Sequence, residues 1–154
     1  MEVNWSLDWP DAIFLSGEDS DAELFIFQTG EQYSSSRKGV EKIDVHLLGF
    51  RKTATTKTWK KEVALDILKD KGLKPAHPRI VFAVGQTQHD LPKRLGRHYV
   101  SLVSLVPCIV RMGTNDVRMV SETWIADDCR ESRLISANYL FQRFRWVAAV
   151  PINT

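Results

Sequence analysis

Apolar residues recur along this chain with two periods, and those periods divide it into short elements. Between residues 59 and 71, Trp59, Val63 and Ile67 repeat every four positions beside Ala64 and Leu68, while Lys60, Lys61, Glu62, Asp66 and Lys69 take the other side. That spacing predicts an amphipathic helix over 59–71, closed by Gly72 as a left-handed cap and by Pro75, which cannot continue it. Over 40–50 the period drops to two: Ile43, Val45 and Leu47 alternate with Lys42, Asp44 and His46, as in a half-exposed strand. Residues 22–28 (AELFIFQ) and 79–84 (RIVFAV) are short uninterrupted apolar runs and read as buried strands. Residues 99–110 and 117–126 flank the turn signal Gly113-Thr114-Asn115-Asp116 and predict a hairpin over 98–126, with Pro107 marking a bulge or an edge. Asp128-x-x-Glu131 has the form of a capping box and predicts a second helix over 129–143, with Leu134, Ala137, Asn138 and Phe141 on one face. Residues 144–150 either extend that helix or, because Trp146, Ala148 and Val150 alternate, make a final strand. The order predicts a single α+β domain, a mainly antiparallel sheet of about five strands with two helices, 59–71 and 129–143.

The first residues do not follow either period. Trp5, Leu7, Trp9 and Phe14 are set among acids, Pro10 interrupts any long helix, and 16–21 reads as a solvated linker. Residues 1–21 are therefore expected to form an acidic aromatic arm ahead of a domain spanning 22–154, and 29–39, with two Gly and three consecutive Ser, a mobile loop. Charge sharpens this division. The 154 residues carry 21 Lys and Arg against 19 Asp and Glu, a net charge of only +2. Yet the first 30 residues hold seven of the acids and no Lys or Arg, so all the basic residues lie beyond them against twelve acids. An acidic arm on a basic body points to a polyanionic or self-directed partner.

Several classes are excluded as expectations. No apolar stretch approaches the roughly 20 residues of a spanning helix, and the first residues lack the basic and apolar regions of a secretory leader. Cys108 and Cys129 form no CxxC pair, so they read as reduced, partly buried thiols, not a disulfide framework or zinc site. Together these features predict a cytoplasmic or nuclear protein, membrane-associated only from the inside and not secreted. No P-loop, GxGxxG, GxSxG or HExxH is present, so no cofactor, metal or catalytic set is expected.

Two basic clusters remain as candidate chemistry. Arg51, Lys52, Lys57, Lys60 and Lys61 are interleaved with Thr53, Thr55, Thr56 and Thr58 and lead into a helix N-terminus, a combination suited to phosphate. Lys93, Arg94 and Arg97 crowd the polar connection 85–98 with His89, Asp90 and His98. Arg130, Arg133, Arg143 and Arg145 surround the second predicted helix, make no stripe at 100° per residue, and read as ordinary surface charge. The arm offers Trp5, Leu7, Trp9 and Phe14 as anchors for a groove on the same chain, a second copy or another protein, with acids for its rim.

The sequence is thus read as a non-enzymatic binding and assembly protein. It would self-associate into a homo-oligomer through its arm or strand edges and bind RNA or an anionic membrane surface through its Lys and Arg clusters. In size and charge layout, though in no motif, it resembles small assembly proteins such as viral matrix or nucleocapsid-associated proteins. One alternative is a small enzyme acting on a phosphorylated substrate through the 85–98 loop, with His89, His98, Lys93 and Arg97 at its site. Another is an inhibitor or adaptor whose residues 1–15 bind a partner protein.

Overall fold

A computed structural model describes residues 1–17, 29–49, 61–138 and 145–154. In chain order the elements are β1 (Glu2–Asn4), α1 (Trp9–Ser16), β2 (Val40–Lys42), β3 (His46–Gly49), α2 (Lys61–Asp70), β4 (Leu73–Pro75), α3 (Pro78–Thr87), α4 (Leu91–Arg94), β5 (Tyr99–Met112), β6 (Asn115–Ala126), β7 (Arg130–Ser136) and β8 (Arg145–Pro151). They make a single α+β domain. Six strands form one mixed, mostly antiparallel sheet in the order β3-β8-β5-β6-β7, with β4 also paired to β8; β1 and β2 make a separate antiparallel ribbon.

The hairpin β5–β6 is the spine. Its strands meet across a two-residue turn, with Met112 opposite Asn115 and Gly113 at φ +65°, the left-handed conformation such tight turns require. The predicted irregularity at Pro107 is present: the register shifts between Ser104 and Cys108. Before that shift, Ser101–Val103 runs parallel to Arg145–Val147 of β8. Further along β8, Ala149 lies between His46 of β3 and Pro75 of β4, so β4 takes over the flank that β5 leaves.

Period-two alternation gives the sheet two chemically different faces. Val100, Leu102, Ile125, Ala148 and Val150 pack with Ile80, Val81 and Val84 of α3. On the reverse face Val103, Val120, Val147 and Ala149 pack with Ala64 and Leu68 of α2. The amphipathic helix foreseen at 59–71 is α2, and Gly72 ends it at φ +72°; Trp59 and Lys60 lie outside the described residues. Gly49 is needed for a different reason: it faces Trp146 across β3–β8, and a Cβ there would come within 2.6 Å of the indole.

Three expectations are corrected. Residues 79–84 are not a strand but the middle of α3, which His77 and Pro78 begin. An apolar run of that length is ambiguous in period, and α3 is apolar on nearly every side because the sheet and the N-terminal segment cover it from both directions. The helix at 129–143 is likewise absent over its described part. Arg130–Ser136 is β7, with Ser132 and Leu134 buried on one face and Glu131, Arg133 and Ile135 on the other, and the Asp128-x-x-Glu131 pattern lies at the turn from β6. Residues 139–144 lie outside the described residues, as does the strand expected at 22–28. Finally, 40–50 is two strands: the chain leaves the ribbon after Lys42, buries Ile43 and joins the main sheet at His46. The last strand kept open at 144–150 is present as β8.

The N-terminal segment lies on α3. Val3, Trp5, Ala12 and Ile13 are buried, and Trp9 rests against Tyr33 and Phe82. His77 is the junction: its Nδ1 accepts from the Arg79 amide at 3.1 Å while Nε2–H donates to the Tyr33 carbonyl at 3.0 Å, with Trp5 edge-on at 5.5 Å. The Nδ1 acceptor needs the neutral ring, since both nitrogens of the cation are donors. Burial, helped by the Arg79 and Arg37 charges and opposed by the Tyr33 carbonyl, lowers its pKa from 6.5 to about 4. The unfolded chain therefore takes up the proton first as pH falls. This contribution is intact above pH 6.5, declines across the window down to about 4, and amounts to about 3 kcal/mol once lost. A His77→Asn variant, which can still cap α3 but does not titrate, is expected to show a flatter dependence of Tm on pH between 4 and 6.5. An identical slope in both proteins would contradict the role given to His77.

Candidate functional site

One end of the reverse sheet face is not packed by α2 and carries polar and aromatic residues instead of aliphatic ones. The register places Tyr99 and Ser101 of β5, Glu122 and Trp124 of β6, Glu131 and Arg133 of β7, and Arg145 of β8 on this face. Glu122 is its centre and is fully buried. The Ser101 hydroxyl donates to its Oε1 at 2.6 Å, Arg145 Nη2 approaches Oε2 at 3.4 Å, and Arg133 Nε approaches the same oxygen at 3.5 Å. Arg145 is itself nearly buried, whereas the Arg133 side chain is 48% exposed. One carboxylate thus faces two guanidinium groups, one nearly buried and one half in water.

Beside this cluster Tyr99 stacks on Trp124 with ring centroids 4.6 Å apart and planes 17° from parallel. Two neighbouring strands hold the pair side by side, and Tyr99 remains 41% exposed. The chain reaches Tyr99 directly from the short helix α4. Leu91 and Pro92 are buried, so Lys93 and Arg94 project outward; Gly96 at φ +68° closes the helix, and the Arg97 amide donates to the Pro92 carbonyl at 2.8 Å. Lys93, Arg94, Arg97 and His98 are all exposed. Arg94 pairs with Asp90 at 3.4 Å and reaches Gln88, while Lys93 and Arg97 have no ion pair among the described residues. Arg94 also lines an open 380 Å³ cleft with Asp44, Val45, Gln88 and Leu91.

The two basic clusters read from the sequence are not one patch. Arg51, Lys52, Lys57 and Lys60 lie outside the described residues. Lys61 opens α2, where burial lowers its pKa and the neighbouring Arg118 charge adds to the effect. Arg118 pairs with Ile109 toward the hairpin turn, most of the hairpin's length from Arg97, so Lys61 does not join Lys93, Arg94 and Arg97. Of the N-terminal anchors, Trp5 is buried, Leu7 and Trp9 are half-buried on the chain's own core, and only Phe14 is mainly exposed. Arg37 lies over the Trp5 ring and Arg79 over the Trp9 ring, at 5.0 and 5.3 Å.

The histidines of the 85–98 loop have separate settings. His89 contacts the Gln86 carbonyl and Arg130 at the C-terminal end of α3, whereas His98 precedes Tyr99 in the exposed turn. Arg130 also donates to the Gly85 and Gln86 carbonyls, so the end of α3 is capped by a cation. Neither cysteine is in a disulfide, and burial raises the pKa of the Cys108 thiol. No group of three His, Cys, Asp or Glu side chains suited to a metal gathers among the described residues.

Sequence reasoning passed over Glu122, Arg145 and the Tyr99–Trp124 pair. Arg133 and Arg145 were given a helical period of 100° that does not hold in strands, where alternate residues share a face. The available signal was Glu122 itself, a single acid inside the otherwise uncharged run Met119 to Ile125. The chain matches no protein-family model, no curated protein and no solved structure.

Proposed function

We propose that the protein is a binding protein for a polyanion, engaged through the cationic turn of Lys93, Arg94 and Arg97. The observation that carries this reading is the arrangement of that turn: three exposed cations within five residues, anchored by buried Leu91 and Pro92; of the three only Arg94 has an ion pair among the described residues, with Asp90. Cations fixed by their backbone lose less freedom when they meet phosphates, and they neutralise charge without reading sequence.

Charge reversal tests it. The Lys93→Glu/Arg94→Glu/Arg97→Glu variant should fold with an unchanged circular dichroism spectrum, since the one ion pair it breaks is exposed. It should elute from heparin at much lower salt than the parent chain. A Lys69→Glu/Lys71→Glu variant, altered at the end of α2, should elute with the parent. Equal retention of all three proteins sinks the assignment of the turn.

A further inference from the structure

An edge strand presents amides and carbonyls that lack a partner strand, and this fold covers two such edges with its own chain. At β7 the end of α1 does so: Ser16 Oγ donates to Ser132 Oγ at 2.7 Å, and Gly17 lies so close that a Cβ there would run into the Arg130 carbonyl. Where β5 leaves β8, the Gln32 side chain stands in for a strand, accepting from the Ile109 amide at 2.7 Å and donating to its carbonyl at 2.8 Å. The Tyr33 hydroxyl donates to the Val106 carbonyl beside it at 2.8 Å. β3 differs. It ends the sheet with no second strand and no side-chain cap among the described residues, and its four residues include no Pro, Lys, Arg, Asp or Glu to deter pairing.

The register assigns the groups that β3 turns outward. The Ala76 amide donates to the Ala148 carbonyl at 3.0 Å on the β4 flank of β8, so Val147 and Ala149 face β3, and their partners Leu48 and His46 turn inward. Leu47 therefore turns its amide and carbonyl outward. Its side chain, opposite Ala148, lies on the face that α3 covers and borders the open 380 Å³ cleft with Val45, Val84 and Leu91. Exposed Asp44 and Arg94 stand at the rim. Arg94 engages Asp90 through Nε and Gln88 through Nη2, which leaves Nη1 without a partner among the described residues. A residue set opposite Leu47 by an added strand would point its side chain to the same face, over the cleft, and residues two positions away would share that face.

We propose that β3 is a docking edge for an extended peptide of a partner protein, which adds as an antiparallel strand opposite Leu47, lowers a large apolar side chain into the cleft and sets an acid two positions away against Arg94. A second copy of this chain is a poorer occupant: two four-residue edges offer little of the roughly 1,200–2,000 Å² that a stable interface buries. The edge is separate from the polyanion reading, with Arg94 common to both.

The probe is a labelled peptide, Thr-Ser-Thr-Leu-Thr-Glu-Thr, titrated against the full chain by fluorescence anisotropy. Exchange of its leucine for alanine should weaken binding about tenfold. N-methylation of the leucine amide, which faces β3, should abolish binding, whereas N-methylation of the following threonine, which faces away, should leave it unchanged. Exchange of the glutamate for glutamine should weaken binding to the parent chain about threefold and make no difference to an Arg94→Gln variant. No binding of the unmodified peptide, or equal affinity for the two N-methylated forms, overturns the docking edge. A glutamine peptide that binds the parent chain as well as the glutamate peptide overturns the place given to Arg94. In light scattering, a dimer of the parent chain that the peptide splits would assign the edge to a second copy and overturn the peptide reading.

Discussion

Deleting residues 1–16 is expected to leave a chain without a cooperative thermal transition. Although this segment is acidic and lies at the chain's end, it supplies Val3, Trp5, Ala12 and Ile13 to the buried interior. It also covers His77 and Phe82 from the side opposite the sheet. Removing a single buried Trp or Ile side chain costs about 2–5 kcal/mol, against the 5–15 kcal/mol that holds a typical domain together. Losing several at once exceeds that margin. The deletion also takes away the Leu7 carbonyl that receives Arg79 at 2.6 Å and the Met1 carbonyl that receives the Ile43 amide at 2.7 Å. Circular dichroism during heating checks it: a sharp transition at the parent Tm would mean that the segment is dispensable.

The second large effect is at Glu122. Glu122→Ala should cost about 3–5 kcal/mol, because the substitution withdraws the carboxylate from a nearly buried Arg145 guanidinium and from the Ser101 hydroxyl. Arg133 contributes little to this figure, since its side chain is half in water. The paired replacement Glu122→Leu/Arg145→Met removes both charges and fills the space, and should recover most of the loss. Urea denaturation of the three proteins decides the matter. A double variant as unstable as Glu122→Ala would show that the cost comes from packing and not from a charge left buried.

Much of the architecture could be read from the chain, and the failures share a cause. The hairpin was legible because its turn residues and alternation agree, and α2 because its apolar stripe, its Gly72 cap and Pro75 agree. Residues 79–84 misled because a segment covered on both sides has no polar face, so its period is lost and its β-branched residues speak for a strand. At 128–131 a local capping pattern was overridden by the partner strand: β6 offers β7 a full ladder, and Ser132 and Leu134 bury themselves against it. The cationic turn was visible because exposed charge needs no partner to be noticed. The Glu122 cluster and the Tyr99–Trp124 pair were not, because the first also needs β7 and β8 and both depend on the register of the strands.

The charge-asymmetric chain thus resolves into a first segment seated on its own core and a body that sets three exposed cations, Lys93, Arg94 and Arg97, on one turn. Whether that turn meets phosphates is answered most directly by the affinity of the parent chain for a short oligouridylate across a salt series. Three phosphate contacts predict a slope of log affinity on log salt near −2, or roughly 20-fold weaker binding between 50 and 200 mM. The Lys93→Glu/Arg94→Glu/Arg97→Glu variant should bind weakly with a slope near zero. A parent affinity independent of salt, or a variant with the parent's slope, would contradict the account.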